Sequence, residues 1–445
     1  MFGVLPLLRT ASPEVCGARG YRVQRIFFGR SSSTWTQDAK DVSGKGNRRL
    51  SGRIHILGVG NVGTFVAHSL RSQPSPPPIT LMMHNQLMFS KWLERKQSLA
   101  ININGLDDIR TGFDVNVFLN EKWLSANGSS TADSTNKQLP GREGGWEGVE
   151  EDNEKIQCLI VTAKAHITPM ALETVRHRLT PDSTVLFLQN GMGILDEVNE
   201  KVFPDPSQRP HYMLGITSHA LAQREDTFHV SHNGVGTTII GPVTRQTPGA
   251  STSNDAEPDW APSTKYLLRT LTLTPSLVAV AEPPTSILMH QLEKLALNSV
   301  INPLTVLMNC RNGELLYNMS VTRLMRLLLY EISSVICNLP ELQGIPGIDS
   351  RFDPERLRGL ATQLMHKTAK NRSSMLQDVR GQRATEIEHL NGYIVRRGEE
   401  LGIKCVVNYT IKHLVLAKQV EYRRRESYAV PLDAMNELEL ELDKT

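Results

Sequence analysis

The chain has few cysteines and uses them sparsely. Five are spread over 445 residues, at Cys16, Cys158, Cys310, Cys337 and Cys405, with no CxxC pair. That excludes a disulfide framework and a cysteine-paired zinc site, and fits a reducing compartment. No metal site is expected. Long apolar runs are also missing: none approaches the roughly 18 residues of a membrane-crossing helix. Charge of one sign is missing too. A net charge of +3 is too small to argue for nucleic acid or an anionic membrane as partner. The length allows two or three domains, and a hydrophobic fraction of 40% suffices for a sizeable core.

Acids are scarce at the start. Residues 1–36 contain Arg9, Arg19, Arg22, Arg25 and Arg30, a serine cluster at Ser31 to Ser33, and one acid, Glu14. This is the composition of a mitochondrial transit peptide. The expected destination is the mitochondrial matrix, or the cytoplasm if the segment is only a basic extension. Residues 1–51 are read as transit peptide and polar linker.

Ile54, Ile56 and Leu57 read as a buried strand, and Thr64 to Leu70 as a helix. Between them lies Gly58-Val59-Gly60-Asn61-Val62-Gly63. A GxGxxG between strand and helix is the setting a dinucleotide fingerprint requires. Gly58 permits the tight turn, Gly60 lets the pyrophosphate approach the backbone, and Gly63 lets helix and strand pack. The helix N-terminus faces the phosphates. After the next strand, Ile79 to Met83, an acid would grip a ribose 2′-hydroxyl. His84, Asn85 and Gln86 stand there instead, with Lys91, Arg95 and Lys96 nearby. That pattern suits a 2′-phosphate, hence NADP (as NADPH).

Further strands are expected at Ile156 to Thr162, Ser183 to Leu188, Tyr212 to Thr217 and Thr237 to Ile240, with helical Met170 to Leu179 between the first two. The alternation predicts a doubly wound parallel sheet over 52–285. Lys164 and Asn190 follow two of these strands, where ligands collect in such sheets. His219, His229 and His232 fit no common metal spacing and are read as hydrogen-bonded loop residues. Segments 124–154 and 244–263 are polar and read as surface insertions.

From 286 to 445 the pattern is helical, with candidates at 286–316, 320–338, 353–370, 385–397 and 410–425. The first holds Lys294-Leu-Ala-Leu-Asn298-Ser-Val-Ile-Asn302-Pro-Leu-Thr305. One amine and two amides at i, i+4 and i+8 share a face of an apolar helix, like the floor of a polar pocket. The alternative is a helix edge with a snorkelling lysine. Pro303 is expected to bend the helix. Asn371 to Asp378 reads as irregular. Thr385 with Glu388 fits a capping box, which would set Glu386 in a first helical turn.

Four blocks resemble the ketopantoate reductase family: GVGNVG at 58–63, QNGMG at 189–193, KLALNSVINPLT at 294–305 and NRSSMLQDVRGQRATEIEHLNG at 371–392. The resemblance implies a Rossmann domain, an all-helical domain and an active site in the cleft between them. It implies NADPH-dependent reduction of 2-dehydropantoate to (R)-pantoate, on the route to pantothenate and coenzyme A. It makes Lys294 the catalytic lysine and Glu386 the acid that binds the substrate hydroxyl and helps hold that lysine. It makes Asn298, Asn302, Asn371 and Ser374 substrate-binding residues, with Lys164 and Asn190 bridging cofactor and substrate. A homodimer is compatible with it. The arginine that often ends the second strand in the family is replaced around His84 and Asn85. The rival readings are a reductase of another branched 2-oxo acid and a catalytically idle relative.

Overall fold

A computed structural model describes residues 50–126, 151–224, 226–244 and 260–427. The transit-peptide reading and most of both insertions lie outside them. The strands are β1 (Ile54–Leu57), β2 (Ile79–Met83), β3 (Leu99–Ile103), β4 (Leu106–Arg110), β5 (Asp114–Leu119), β6 (Lys122–Ser125) and β7 (Cys158–Val161). β8 (Thr184–Phe187), β9 (His211–Thr217), β10 (Ala220–Gln223), β11 (His229–Gly234), β12 (Thr238–Pro242) and β13 (Ala279–Ala281) complete them. The helices of the first half are α1 (Asn61–Arg71), α2 (Gln86–Glu94), α3 (Thr168–Glu173), α4 (Ile194–Lys201) and α5 (Pro262–Thr272). Those of the second half are α6 (Pro284–Met308), α7 (Met319–Cys337), α8 (Ile348–Arg351), α9 (Pro354–Lys367), α10 (Ser374–Arg380), α11 (Asn391–Glu400) and α12 (Val406–Ser427). Among the described residues, no helix is long and apolar enough to cross a membrane.

The main sheet runs β13-β12-β9-β8-β7-β1-β2-β5-β6. From β5 through β9 every neighbouring pair is parallel. β1, β2, β7 and β8 are buried at every position, as strands covered on both faces must be. The chain leaves β1 towards β2 and β5, then returns to the other side through β7, β8 and β9. The order reverses between β1 and β7, which opens a crevice beyond their C-terminal ends. α1 is buried from Gly63 to Leu70 because a second sheet, β10-β11-β3-β4, covers its outer side.

The insertion ends are ordered, contrary to the polar reading of 124–154. Ala126 donates its N–H to Val115 at 2.9 Å and Asp152 to Trp123 at 2.8 Å. Asp152 also meets the wholly buried Arg178 at 3.1 Å. The second insertion ends sooner than composition suggested, since Pro262 opens α5 and Ser263 is buried. The three histidines are hydrogen-bonded, but His229 and His232 lie on β11 rather than in a loop.

The second half has its own apolar core, from Leu292 on α6 to Val415 on α12. α6 continues past Pro303 as one helix. Proline has no N–H for the carbonyl four residues back, which is that of Ser299. The buried Asn391 side chain donates to it instead, at 2.9 Å. Asn391 also bonds Asn408 at 3.0 Å, and Asn408 bonds Glu331 at 2.8 Å. One amide network therefore joins α6, α7, α11 and α12.

Two expectations for 371–397 fail, the first of them in part. Asn371 to Asp378 is irregular only as far as Ser373: that residue caps α10 through Leu376 N–H at 3.1 Å, and Met375, Leu376 and Val379 are buried. Nor does a capping box start a helix at Thr385. Its hydroxyl bonds nothing, Glu388 faces Lys412 at 3.4 Å, and Glu386 precedes a single 3-10 turn, Ile387–His389. The α-helix begins at Asn391.

Asn391→Ala should leave the Ser299 carbonyl buried and unpaired. A loss of about 1–3 kcal/mol is expected for such a group, read as a lowered midpoint in urea unfolding. Asn408→Ala should lower it less, since Asn391 would keep its bond to Ser299.

Candidate active site

Four elements converge on the crevice between the sheet and the helical core. The N-terminal half of α6 packs on β9 and β12, and its C-terminal half lies in the helical core. Lys294 sits near the crossover. Its Nζ donates to the Thr217 carbonyl, at the end of β9, at 2.9 Å. Lys294 and Asn298 line a cavity with Gln291, Gln189, Asn190 and Gly191. The predicted shared face is thus a pocket wall for those two. Asn302 lies further along, half-buried; its carbonyl accepts from Thr305, whose hydroxyl bonds Ser373 at 2.6 Å.

The loop after β8 docks on the turn that carries Glu386. Gly191 has φ +89°, and a Cβ there would lie 2.6 Å from the His389 Cβ. Only glycine lets the two segments meet so closely. Met192 N–H donates to the His389 carbonyl at 2.9 Å. This docking brings Asn190 Nδ2 within 3.4 Å of Glu386 Oε2. Lys164, after β7, forms a salt bridge with Asp378 on α10. Sequence reading assigned nothing to Asp378 or His389. Ser373, followed by apolar Met375, Leu376 and Val379, was a legible helix start; His389 left no signal.

Ser374 and Asn371 are exposed. Ser374 opens α10, which packs on α6. The Asn371 carbonyl accepts from Asn312 at 3.0 Å. The structure joins neither side chain to Lys294.

Electrostatics sharpen the picture. Burial pulls the Lys294 ammonium down to about 8, with Glu386 acting against that fall. Burial pushes Glu386 up; Lys164 opposes the rise and Asp378 adds to it. Lys294 and Glu386 feel each other through space but form no direct ion pair. Glu386 supports the ammonium through space, and the group in contact with it is the Thr217 carbonyl.

The cofactor side can be tested on its glycines. A Cβ on Gly63 would lie 2.1 Å from the Gly58 carbonyl, and one on Gly58, at φ +101°, 2.6 Å from Ala163 N. A Cβ on Gly60 would meet nothing within 4 Å. So two glycines serve packing, and the third fronts open space above the helix terminus. α1 starts at Asn61, with Val62 next, and has no acid in its first turn, so its free N–H groups suit a pyrophosphate. The expected cation cluster is revised. Arg95 pairs with Asp226 at 3.0 Å. It and Lys96 follow the last turn of α2, about 13 Å of helix from the strand end. At that end stand exposed His84 and Asn85, which caps α2 through Met88 N–H at 2.8 Å.

A Rossmann crevice facing a buried lysine defines a nicotinamide-dependent oxidoreductase built from a sheet half and a helical half. Profiles of known families agree: "Ketopantoate reductase PanE/ApbA" matches residues 54–245, and its C-terminal counterpart matches 286–419. The chain is 28% identical to a probable 2-dehydropantoate 2-reductase of Schizosaccharomyces pombe, covering 83% of this chain and 97% of that one. It is 32% identical to the 2-dehydropantoate 2-reductase of Salmonella typhimurium, over 61% of this chain and 77% of that one. It is 28% identical to a ketoisovalerate reductase of Gibberella fujikuroi, over 77% of each. The solved ketopantoate reductase of Ralstonia eutropha superposes with a TM-score of 0.58 at 18% identity, over 83% of this chain and 99% of that one. The chain belongs to the ketopantoate reductase family. It is an oxidoreductase, and its cofactor is NADP.

Two outcomes follow from this geometry. Gly60→Val should keep the parent melting temperature and weaken NADPH binding in a fluorescence titration, whereas Gly63→Ala should lower the melting temperature itself. Lys294→Met should raise the stability of the cofactor-free protein near neutral pH. The folded lysine titrates near 8 and the unfolded one near 10.4, so between those values the unfolded state binds more protons. Parent stability therefore climbs as pH rises through that window, and the variant's advantage should shrink over the same range.

Proposed function

We propose that the protein reduces 2-dehydropantoate to (R)-pantoate with NADPH. The observation that carries the reading is the Lys294 ammonium, held in the cavity by the Thr217 carbonyl and pulled down by burial to about 8. Reduced nicotinamide supplies the hydride when bound. As negative charge gathers on the ketone oxygen, Lys294 stabilises it and donates a proton. The Thr217 carbonyl fixes the direction of the amine, and Asn298 offers an amide to the substrate. Asn302, Asn371 and Ser374 are assigned to the same substrate wall. Val59 to Gly63 hold the pyrophosphate, and Lys164 and Asn190 stand between cofactor and substrate. In this division, 52–285 binds the cofactor and the helical half completes the catalytic wall.

Glu386 favours a hydroxylated substrate. It is buried, and its bonds come from the Asn190 side chain and the Ala165 backbone. A substrate hydroxyl would give it one more partner. Ketoisovalerate lacks that hydroxyl and would leave the carboxyl under-bonded. Similarity to a fungal ketoisovalerate reductase makes that 2-oxo acid the second reading. Residues 1–36 are proposed to direct the protein to mitochondria; a reporter fused to them that stays in the cytosol would refute this. A homodimer is proposed by analogy with a dimeric ketopantoate reductase of Staphylococcus aureus, which shares this fold at 16% identity and a TM-score of 0.56, over 83% of this chain and 99% of that one.

The test is NADPH oxidation by purified protein with ketopantoate and with ketoisovalerate. A higher kcat/KM for ketopantoate is expected; the reverse order would replace the substrate assignment. Lys294→Ala should lower kcat by about 10²-fold or more and leave NADPH affinity near the parent value. Parent turnover from that variant would remove the mechanism.

A further inference from the structure

Asp378 is a buried carboxylate between two cations. Oδ1 accepts from Arg383 Nε at 3.1 Å, and Oδ2 pairs with Lys164. Arg383 is anchored to the end of α10: its N–H donates to the Asp378 carbonyl at 2.8 Å, and its guanidinium to the Gln377 carbonyl at 3.2 Å. Half of the Arg383 side chain faces solvent, whereas Asp378 is 6% exposed. Lys164 arrives from the sheet half, at the end of β7. It stands between two acids of the helical half, Asp378 and Glu386.

We propose that Asp378 is a positioning residue: anchored by Arg383, it fixes the Lys164 ammonium across the cleft beside Glu386, and through that cation controls the charge with which Glu386 meets the substrate. The proposal rests on the assignment of Glu386 and Lys294 to the reaction. A structural staple is the simpler role for a buried ion pair, yet such pairs add little net stability. The position of this one argues for more, since Lys164 pairs with Asp378 and its charge also acts on Glu386.

The groups facing Glu386 are few. Lys164 comes from the segment after β7, with His166 of the same segment acting on Lys164 and Asp378 rather than Glu386; Lys294 comes from α6, and Asp378 with Arg383 from α10 and the turn after it. Glu388 and His389 share its own turn, and Lys412 of α12 is held by Glu388. Of these, Lys164 and Asp378 act most strongly on Glu386, with opposite signs. Removing the Asp378 charge takes away the anion that adds to the rise caused by burial and leaves Lys164 to act on Glu386 alone. Both changes favour ionised Glu386 and shift its titration to lower pH.

The experiment is a double-mutant cycle of Lys164→Met and Asp378→Asn, read in two ways. Turnover of whichever 2-oxo acid the parent reduces is followed from about pH 5 to about pH 9. Asp378→Asn should lower kcat/KM by about tenfold or more and move the acid limb of kcat to lower pH. Asp378→Glu should restore the limb. The double variant should lie within about threefold of Lys164→Met alone, because residues acting as a unit are not additive. An unmoved acid limb, or losses that multiply, would overturn the proposal.

Unfolding of the cofactor-free proteins gives the second reading. Each single variant breaks the Lys164–Asp378 pair and leaves its other member behind, and the double removes both, so it should be less destabilised than the sum of the singles. Where Asp378→Asn alone does not fold, the double is compared directly with Lys164→Met. Additive destabilisation would overturn the proposal. If the parent turned over no 2-oxo acid, the functional reading would fail, and the unfolding cycle would still decide whether Asp378 holds Lys164.

Discussion

The bond from the Lys294 ammonium to the Thr217 carbonyl holds the site together in two senses. It ties α6 to the last residue of β9, so the helical half cannot shift along the sheet without losing the bond. It also gives a desolvated cation one fixed acceptor, which sets where its remaining protons point. A lysine on an apolar helix would otherwise snorkel towards water. Here the loop after β8 and the turn at Glu386 close around it. Burial lowers its proton affinity, and the distant carboxylate of Glu386 restores part of it. An ammonium in that balance gives up a proton far more readily than a solvated lysine.

Everything else in the cleft serves the meeting of the two halves. Gly191 lets the β8 loop touch His389, and that contact delivers Asn190 to Glu386. Asn391 replaces the bond that Pro303 cannot make, so α6 stays a single helix from Lys294 to Asn302 and beyond. On the other wall, Gly58 and Gly63 allow β1 and α1 to pack, and Gly60 fronts open space. A crevice lies at the point where the strand order reverses. Lys164 and Asn190 both follow strands that end there.

Much of this was legible in the sequence because it is local. A strand, a glycine turn and a helix announce a dinucleotide site within a dozen residues, and i, i+4 spacing placed Lys294 and Asn298 on one wall. What was not legible depended on contacts between distant segments. Glu386 was read through a capping box, yet Thr385 caps nothing and Glu388 turns to Lys412 on another helix. Arg95 looked like a phosphate ligand until Asp226 engaged it. Asp378 carried no local signal, since its meaning comes from a lysine on the opposite half of the molecule.

The account depends most directly on the state of one amine. Its titration can be followed by NMR of protein carrying 13C-labelled lysine side chains, with Lys294→Arg identifying the signal. The account predicts that the Lys294 signal titrates near 8 in the cofactor-free protein, apart from the bulk of the lysines above 10. A Lys294 signal that titrates with the solvent-exposed lysines would contradict it, because the amine would then be neither buried nor poised to donate.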